Sequence, residues 1–203
     1  MRTLAETLQR FKADVKRRLF LEGNAITYAN AAMILLHRGV VSVFLYRLSH
    51  YFYLKNTWLT KVLLRILRYV EYHYCRNEIE HGAEIGAGLV LSDGGGVAIS
   101  DANVIGKNFT CMGRATTTLG GVEAVNVGVD KIVIGDDCIL GHNVRIISNV
   151  TIADGVQIQS NSVILQSVLT AGAVMSGFPA RKVTELPLEK RQAWRPLISQ
   201  KIV

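Results

Sequence analysis

The sequence predicts an α-helical domain followed by a parallel β-helix, a solenoid wound from six-residue units. Three observations predict it. From Ile79 onward aliphatic residues return every six positions, and a second small or apolar residue stands four places after most of them. Charge, aromatics and glycine also change across Arg76–Glu78. Residues 1–77 hold 13 Lys/Arg against 4 Asp/Glu, a net +9, with 12 of the 15 aromatics. Residues 78–203 hold 10 against 12, a net −2, with 16 of the 18 glycines. The expected division is a basic, aromatic-rich helical domain over 1–77, a solenoid over 78–183 and a C-terminal tail over 184–203.

In the first part, Thr3-Leu-Ala-Glu6 is a capping-box pattern, which satisfies free amides at a helix start. Leu4, Leu8, Phe11, Val15 and Leu19 then recur at helical spacing, and Arg10, Lys12, Lys16, Arg17 and Arg18 crowd the remaining surface. A second apolar run, Ala25 to Leu54, is broken by His37-Arg38-Gly39 and by Arg47. A third, Leu59 to Tyr74, sets Lys61, Arg65 and Arg68 on one face. A membrane span needs about 20 largely uninterrupted apolar residues, and the second run reaches that only by burying Arg47, so no span is predicted. Basic helices rich in Tyr, Trp and Phe suit a membrane interface. They equally suit an oligomerisation domain whose apolar faces meet, and the two uses are compatible. Nucleic-acid binding is not expected, because the aromatics sit within apolar runs. The N-terminus lacks the apolar core of a signal peptide, and Cys75, Cys111 and Cys138 show no paired spacing. A reducing, cytoplasmic setting is expected, with peripheral contact at the inner membrane face if the helices bind lipid.

The six-residue period runs through Ile79, Ile85 and Leu91, then Ile99, Ile105, Cys111 and Thr117. It resumes at Ile134, Leu140, Ile146, Ile152, Ile158 and Ile164. The companion positions are Ala83, Leu89, Gly95, Phe109, Ala115, Cys138, Val144, Val150, Val156, Ser162 and Val168, with Asn103 the one clearly polar departure. Such a period fits neither a helix nor a flat alternating strand. It fits a coil of three short sides whose inward residues stack from turn to turn, with small polar corners such as Gly135-Asp136-Asp137. Three units per coil place Leu91, Cys111, Leu140 and Ile158 in one column.

These repeats, closed by Ser176-Gly-Phe-Pro-Ala-Arg-Lys-Val183, resemble the left-handed β-helix acyltransferases of the hexapeptide-repeat family. The resemblance is nearest to the serine O-acetyltransferases and their polysaccharide O-acetyltransferase relatives. It is carried by Ile85-Gly-Ala-Gly-Leu-Val-Leu91 and Leu119-Gly-Gly121 and covers roughly residues 40–183. It implies a homotrimer, extended further if the helical domains pair. It also implies acetyl-CoA as co-substrate in the groove between neighbouring β-helices, and a histidine that takes the acceptor hydroxyl's proton. On this sequence the histidine position is Asp93, its preceding aspartate is Ser92, and the orienting aspartate is Glu78. The Arg-His pair that would hold the serine carboxylate falls near Asp130-Lys131.

The base therefore has three readings. Asp93 is a weak base unless a neighbour such as Glu78 raises its pKa. His142, in Leu140-Gly-His-Asn-Val144, resembles the corner histidine of sugar N-acyltransferases and shares the column of Asp93 two coils on. In the third reading Asp93-Gly-Gly-Gly96 is only a turn, His142 makes a structural hydrogen bond, and the trimer is a catalytically lapsed scaffold. For the co-substrate, Gly120 and Gly121 match the segment lining the thioester groove. Ala180, Arg181 and Lys182 stand where the family binds the nucleotide end of CoA, and cations there suit phosphates. His81 and His142 are too few for a metal site, and none is expected. The expected activity is acetyl transfer from acetyl-CoA to a hydroxyl of a sugar or of a polysaccharide or glycolipid precursor. The alternatives are the scaffold, an amino-sugar N-acyltransferase and a divergent serine O-acetyltransferase acting on a small-molecule acceptor.

Overall fold

A computed structural model of the chain describes residues 3–23, 32, 34–92, 95–119, 131–147 and 149–187. Its helices are α1 (Leu4–Leu21), α2 (Arg38–Tyr53) and α3 (Trp58–Val70), the last running into a π turn at Glu71–Cys75. The capping box at Thr3 and Glu6 is formed, and Thr57 with Thr60 makes a second one at the start of α3. Among the described residues, no helix is long and apolar enough to cross a membrane.

From Glu78 the chain coils through three parallel sheets. The first stacks β1 (Glu78–Ile79), β4 (Ala98–Ile99), β7 (Thr116–Thr117), β10 (Arg145–Ile146) and β13 (Val163–Ile164). The second stacks β2 (Glu84–Ile85), β5 (Asn103–Ile105), β8 (Ile132–Ile134) and β11 (Thr151–Ile152). The third holds β3 (Val90–Leu91), β6 (Thr110–Cys111), β9 (Ile139–Leu140), β12 (Gln157–Ile158) and β14 (Ala173–Gly177), closed by the antiparallel β15 (Ala180–Glu185). Register follows the six-residue period. Leu91 pairs with Cys111, Cys111 with Leu140, and Leu140 with Ile158, the column read from the sequence.

Both inward positions are buried along the solenoid, from Ile79 and Ala83 to Ile164 and Val168. Each fully buried isoleucine contributes about 1.5–3 kcal/mol. The polar departure, Asn103, is wholly buried, and its amide donates to the Ser100 carbonyl and hydroxyl and to the Thr117 carbonyl. At the corners the coils lie so close that a Cβ on Gly135 would come within 2.7 Å of the Asp154 amide nitrogen. The Asp154 carboxylate uses that proximity to accept the Asp136 amide, and Asp136 in turn accepts the Lys107 amide.

The helices cap the first coil, for a reason set by hydrogen-bond direction. Each coil's amides donate to carbonyls of the next one: Gly86 to Ile105, Gly106 to Ile134, Gly135 to Ile152. The first coil's own carbonyls have no coil before them, and buried carbonyls need donors. Arginines supply them. Arg10 and Arg47 donate to the Ile85 carbonyl, Arg47 also to Gly86, Arg17 to Gly88 and Phe109, and Arg18 to Leu91, at 2.6–3.1 Å. This corrects the expected face of α1: Leu4 and Leu8 are exposed, whereas Arg17 and Asp14 are buried with Val15 and Leu19. Carbonyl and amide partners offset part of the desolvation of those charges, while burial still lowers the Arg17 pKa to about 10 and raises that of Asp14. Arg47, which interrupts the second apolar run, is buried too, against Asp14 rather than in lipid.

Candidate functional site

The corner joining the third sheet to the first lies between β3 and β4, between β6 and β7, between β9 and β10, and between β12 and β13. It carries positions 113, 142 and 160 at successive rungs, each two residues past a register-matched strand end. Asp93, Gly120 and Gly121 lie outside the described residues. Just before Asp93, the Ser92 hydroxyl donates to the Met112 carbonyl of the next coil at 2.8 Å. The strand leading there is held by α1, since Arg18 bonds the Leu91 carbonyl and Asp14 accepts the Gly88 and Leu89 amides.

His142 sits on this edge after β9. Its amide donates to Ser160 Oγ at 3.0 Å and its carbonyl accepts the Asn161 amide at 2.8 Å, so the backbone is fixed. The imidazole is exposed and makes no hydrogen bond among the described residues. A ring with a fixed backbone and free nitrogens is available for proton transfer. The strand ends Leu91 and Leu140, the latter two residues before His142, are two rungs apart, about 10 Å along the axis.

Glu78 opens the first sheet just past the same corner, in register with Ala98, Thr116 and Arg145. Three rungs therefore separate it from the His142 level, about 14 Å. Its carboxylate is engaged: Arg68 of α3 donates to Glu78 Oε1 at 2.7 Å and reaches both oxygens of Glu80 at 2.8 and 3.0 Å. Those hydrogen bonds, Glu80 first, push the Arg68 pKa up. Glu78 is thus a paired carboxylate rather than a free charge. Glu78, Glu80, Ala98, Ile99, Ser100 and Thr118 line an open hollow of about 170 Å³. Burial lowers the pKa of His81, whose carbonyl accepts from His50 Nδ1 at 2.8 Å. The sequence set Arg68 with Lys61 and Arg65 on one helix face and did not single out Glu80, Ser100 or Thr118, because only the coil brings these four elements together.

At the far end of the third sheet, β14 and β15 place Ala180 opposite Gly177, Arg181 opposite Ser176 and Lys182 opposite Met175. Arg181 is exposed and without a carboxylate partner among the described residues, whereas Lys182 pairs with Glu185 at 2.8 Å. The pair is half-exposed, which leaves the cation accessible. Among the described residues no cluster of His, Cys, Asp and Glu is suited to hold a metal ion.

Coils of six-residue units, a helical cap and an edge of polar corners define a left-handed β-helix acyltransferase of the hexapeptide-repeat class. Residues 131–166 match the family described as bacterial transferase hexapeptide (six repeats). A serine acetyltransferase of Staphylococcus xylosus is 31% identical over 178 residues, spanning 88% of this chain and 78% of that protein. One from Staphylococcus epidermidis is 29% identical over 88% and 79%. Among solved structures, serine acetyltransferase of Neisseria gonorrhoeae superposes with a TM-score of 0.77 at 21% identity, over 94% of this chain and 71% of that one. Serine acetyltransferase of Brucella abortus in complex with coenzyme A gives 0.76 at 20%, over 91% and 70%. The chain belongs to the serine acetyltransferase family of hexapeptide-repeat acyltransferases.

Proposed function

We propose that this protein transfers the acetyl group of acetyl-CoA to the hydroxyl of a small acceptor, L-serine or a close analogue. The observation that carries the proposal is the 31% identity to a serine acetyltransferase, which runs through both helices and coils over 78% of that protein. The acceptor oxygen attacks the thioester carbonyl while a base takes its proton. The tetrahedral adduct then expels the CoA thiolate, which recovers a proton. His142 is the proposed base, because its imidazole is exposed, hydrogen-bonds nothing among the described residues and sits on a backbone fixed by Ser160 and Asn161. Asp93 is proposed as the alternative base, and Glu78, three rungs from the His142 level, is proposed to assist only in that alternative. Gly120 and Gly121 are proposed to line the thioester groove, with Ala180, Arg181 and Lys182 at the CoA phosphates. The active unit is proposed to be a homotrimer in the cytoplasm, with the groove between neighbouring β-helices and the helical part over 1–77 available for further pairing.

A second reading, a sugar or polysaccharide precursor as acceptor, is favoured by one observation. Ser92-Asp93 and Asp130-Lys131 stand where serine binding in this family calls for Asp-His and Arg-His, and the hollow beside Glu78 and Glu80 offers hydroxyls and carboxylates to a polyol. Thiol release from acetyl-CoA, measured over L-serine, its analogues and a panel of sugars and amino sugars, tests both. Turnover with serine supports the first reading, and turnover restricted to sugars replaces it with the second. No turnover together with no CoA binding by calorimetry refutes the enzyme and leaves the scaffold.

A further inference from the structure

Helix α3 turns an apolar face outward. Trp58, Leu59, Val62, Ile66, Tyr69 and Val70 are 40–73% exposed on one 13-residue helix, while Thr60 and Leu64 face the protein. At about 100° per residue the six fall within roughly 120° of arc. Scattered exposed apolar residues are ordinary, but a contiguous set marks a contact surface.

Charge identifies what it contacts. Most arginines of the helical part are consumed inside the protein: Arg10, Arg17, Arg18 and Arg47 cap the first coil, and Arg68 holds Glu78 and Glu80. Lys61 and Arg65 do neither. Both are exposed beside the apolar arc and have no carboxylate partner among the described residues. Between Glu22 and Glu71 the sequence contains no Asp or Glu, so α2 and α3 offer nothing to pair with them. Two copies meeting through this face by a two-fold axis would set like charges together. An anionic lipid surface complements it.

We propose that α3 docks this protein on anionic lipid bilayers, lying flat with Trp58, Val62, Ile66 and Tyr69 at headgroup depth and Lys61 and Arg65 on the lipid charges. At about 20 Å the helix is too short to span a bilayer core of about 30 Å. Its shape is that of an interfacial helix, with aromatics at the water boundary. Exposed Tyr72 and Tyr74 continue the aromatic set into the π turn. Docking is independent of the transfer reaction, because it is measured without substrate, so its failure leaves the acetyl-transfer proposal standing.

The test is sedimentation of the full chain with vesicles of phosphatidylcholine alone and with one third phosphatidylglycerol. Association with the anionic vesicles alone, reduced by salt, is expected. Lys61→Gln with Arg65→Gln is expected to weaken it about 25-fold. Trp58→Ser with Ile66→Ser is expected to abolish it while particle mass by light scattering stays constant. All four side chains are exposed, so thermal transitions should match the parent. No association, or equal association with both vesicle types, overturns the proposal. A fall in particle mass in the Trp58/Ile66 variant also overturns it and assigns the face to a second copy.

Discussion

Arg47 and Asp14 meet in a two-pronged ion pair, Nε to Oδ2 at 2.9 Å and Nη2 to Oδ1 at 3.1 Å, with both side chains almost wholly buried. The pair joins α2 to α1, and each partner also reaches the first coil: Arg47 through the Ile85 and Gly86 carbonyls, Asp14 through the Gly88 and Leu89 amides. Removing one partner strands the other charge in the interior, which costs about 3–5 kcal/mol. Arg47→Met and Asp14→Leu are each expected to lose stability on that scale in urea denaturation. The double variant is expected to lose less than the sum of the two, and strict additivity would deny the coupling.

Glu71 carries a pH dependence. It is buried, accepts the Ser42 hydroxyl at 2.9 Å, and burial pushes its pKa from 4.5 up to about 8. Between those values the folded chain keeps a proton that the unfolded chain has released. Stability therefore falls as pH rises from about 4.5 to about 8, by at most about 1.4 kcal/mol per unit. Glu71→Gln should flatten the dependence of Tm on pH across that window and raise Tm at pH 8. An unchanged profile would place the titration elsewhere.

For the base, His142→Ala is expected to lower kcat about 10²–10⁴-fold, with a smaller loss for Asp93→Asn. The opposite ranking would move the base to Asp93. Full activity in both would dismiss this edge as the reaction centre.

At the closing hairpin, Arg181→Ala is expected to raise the KM for acetyl-CoA about tenfold with kcat unchanged, the loss of one charge-assisted contact to phosphate. Lys182→Ala should do less, because Glu185 already shares its charge. Equal KM values for the parent and both variants would place the nucleotide elsewhere.

The thiols give a simple check on packing. Burial pushes Cys75 up to about 11 and Cys111 and Cys138 up to about 12, and all three are free. Since the thiolate is the reactive form, Ellman's reagent at pH 8 should label none of them in the native protein and all three in denaturant.

Much of this molecule was legible in the chain. The coil column Leu91, Cys111, Leu140 and Ile158 appeared as a six-residue spacing, because each rung repeats the same local geometry and the inward residue must be apolar in every rung. The edge holding His142 followed from that count alone. Arg17 did not, since a helical period marks cations as solvent-facing. What makes Arg17 a buried donor is the Gly88 carbonyl of the first coil together with the Phe109 carbonyl and Thr110 hydroxyl of the second, groups 71–93 positions further on that the coils bring together.

The sequence by itself determined the solenoid and its register, consequences of a short repeating period, while the antiparallel closing hairpin appeared only in the structure. The tertiary structure decided which charges are interior, Arg47 on Asp14 and Glu71 against Ser42, and which half-exposed ones pair, Arg68 with Glu78 and Glu80. It also left the face of Trp58 and Ile66 outward. Period acts between neighbours in the chain, whereas the partner of a charge depends on which segments fold against one another.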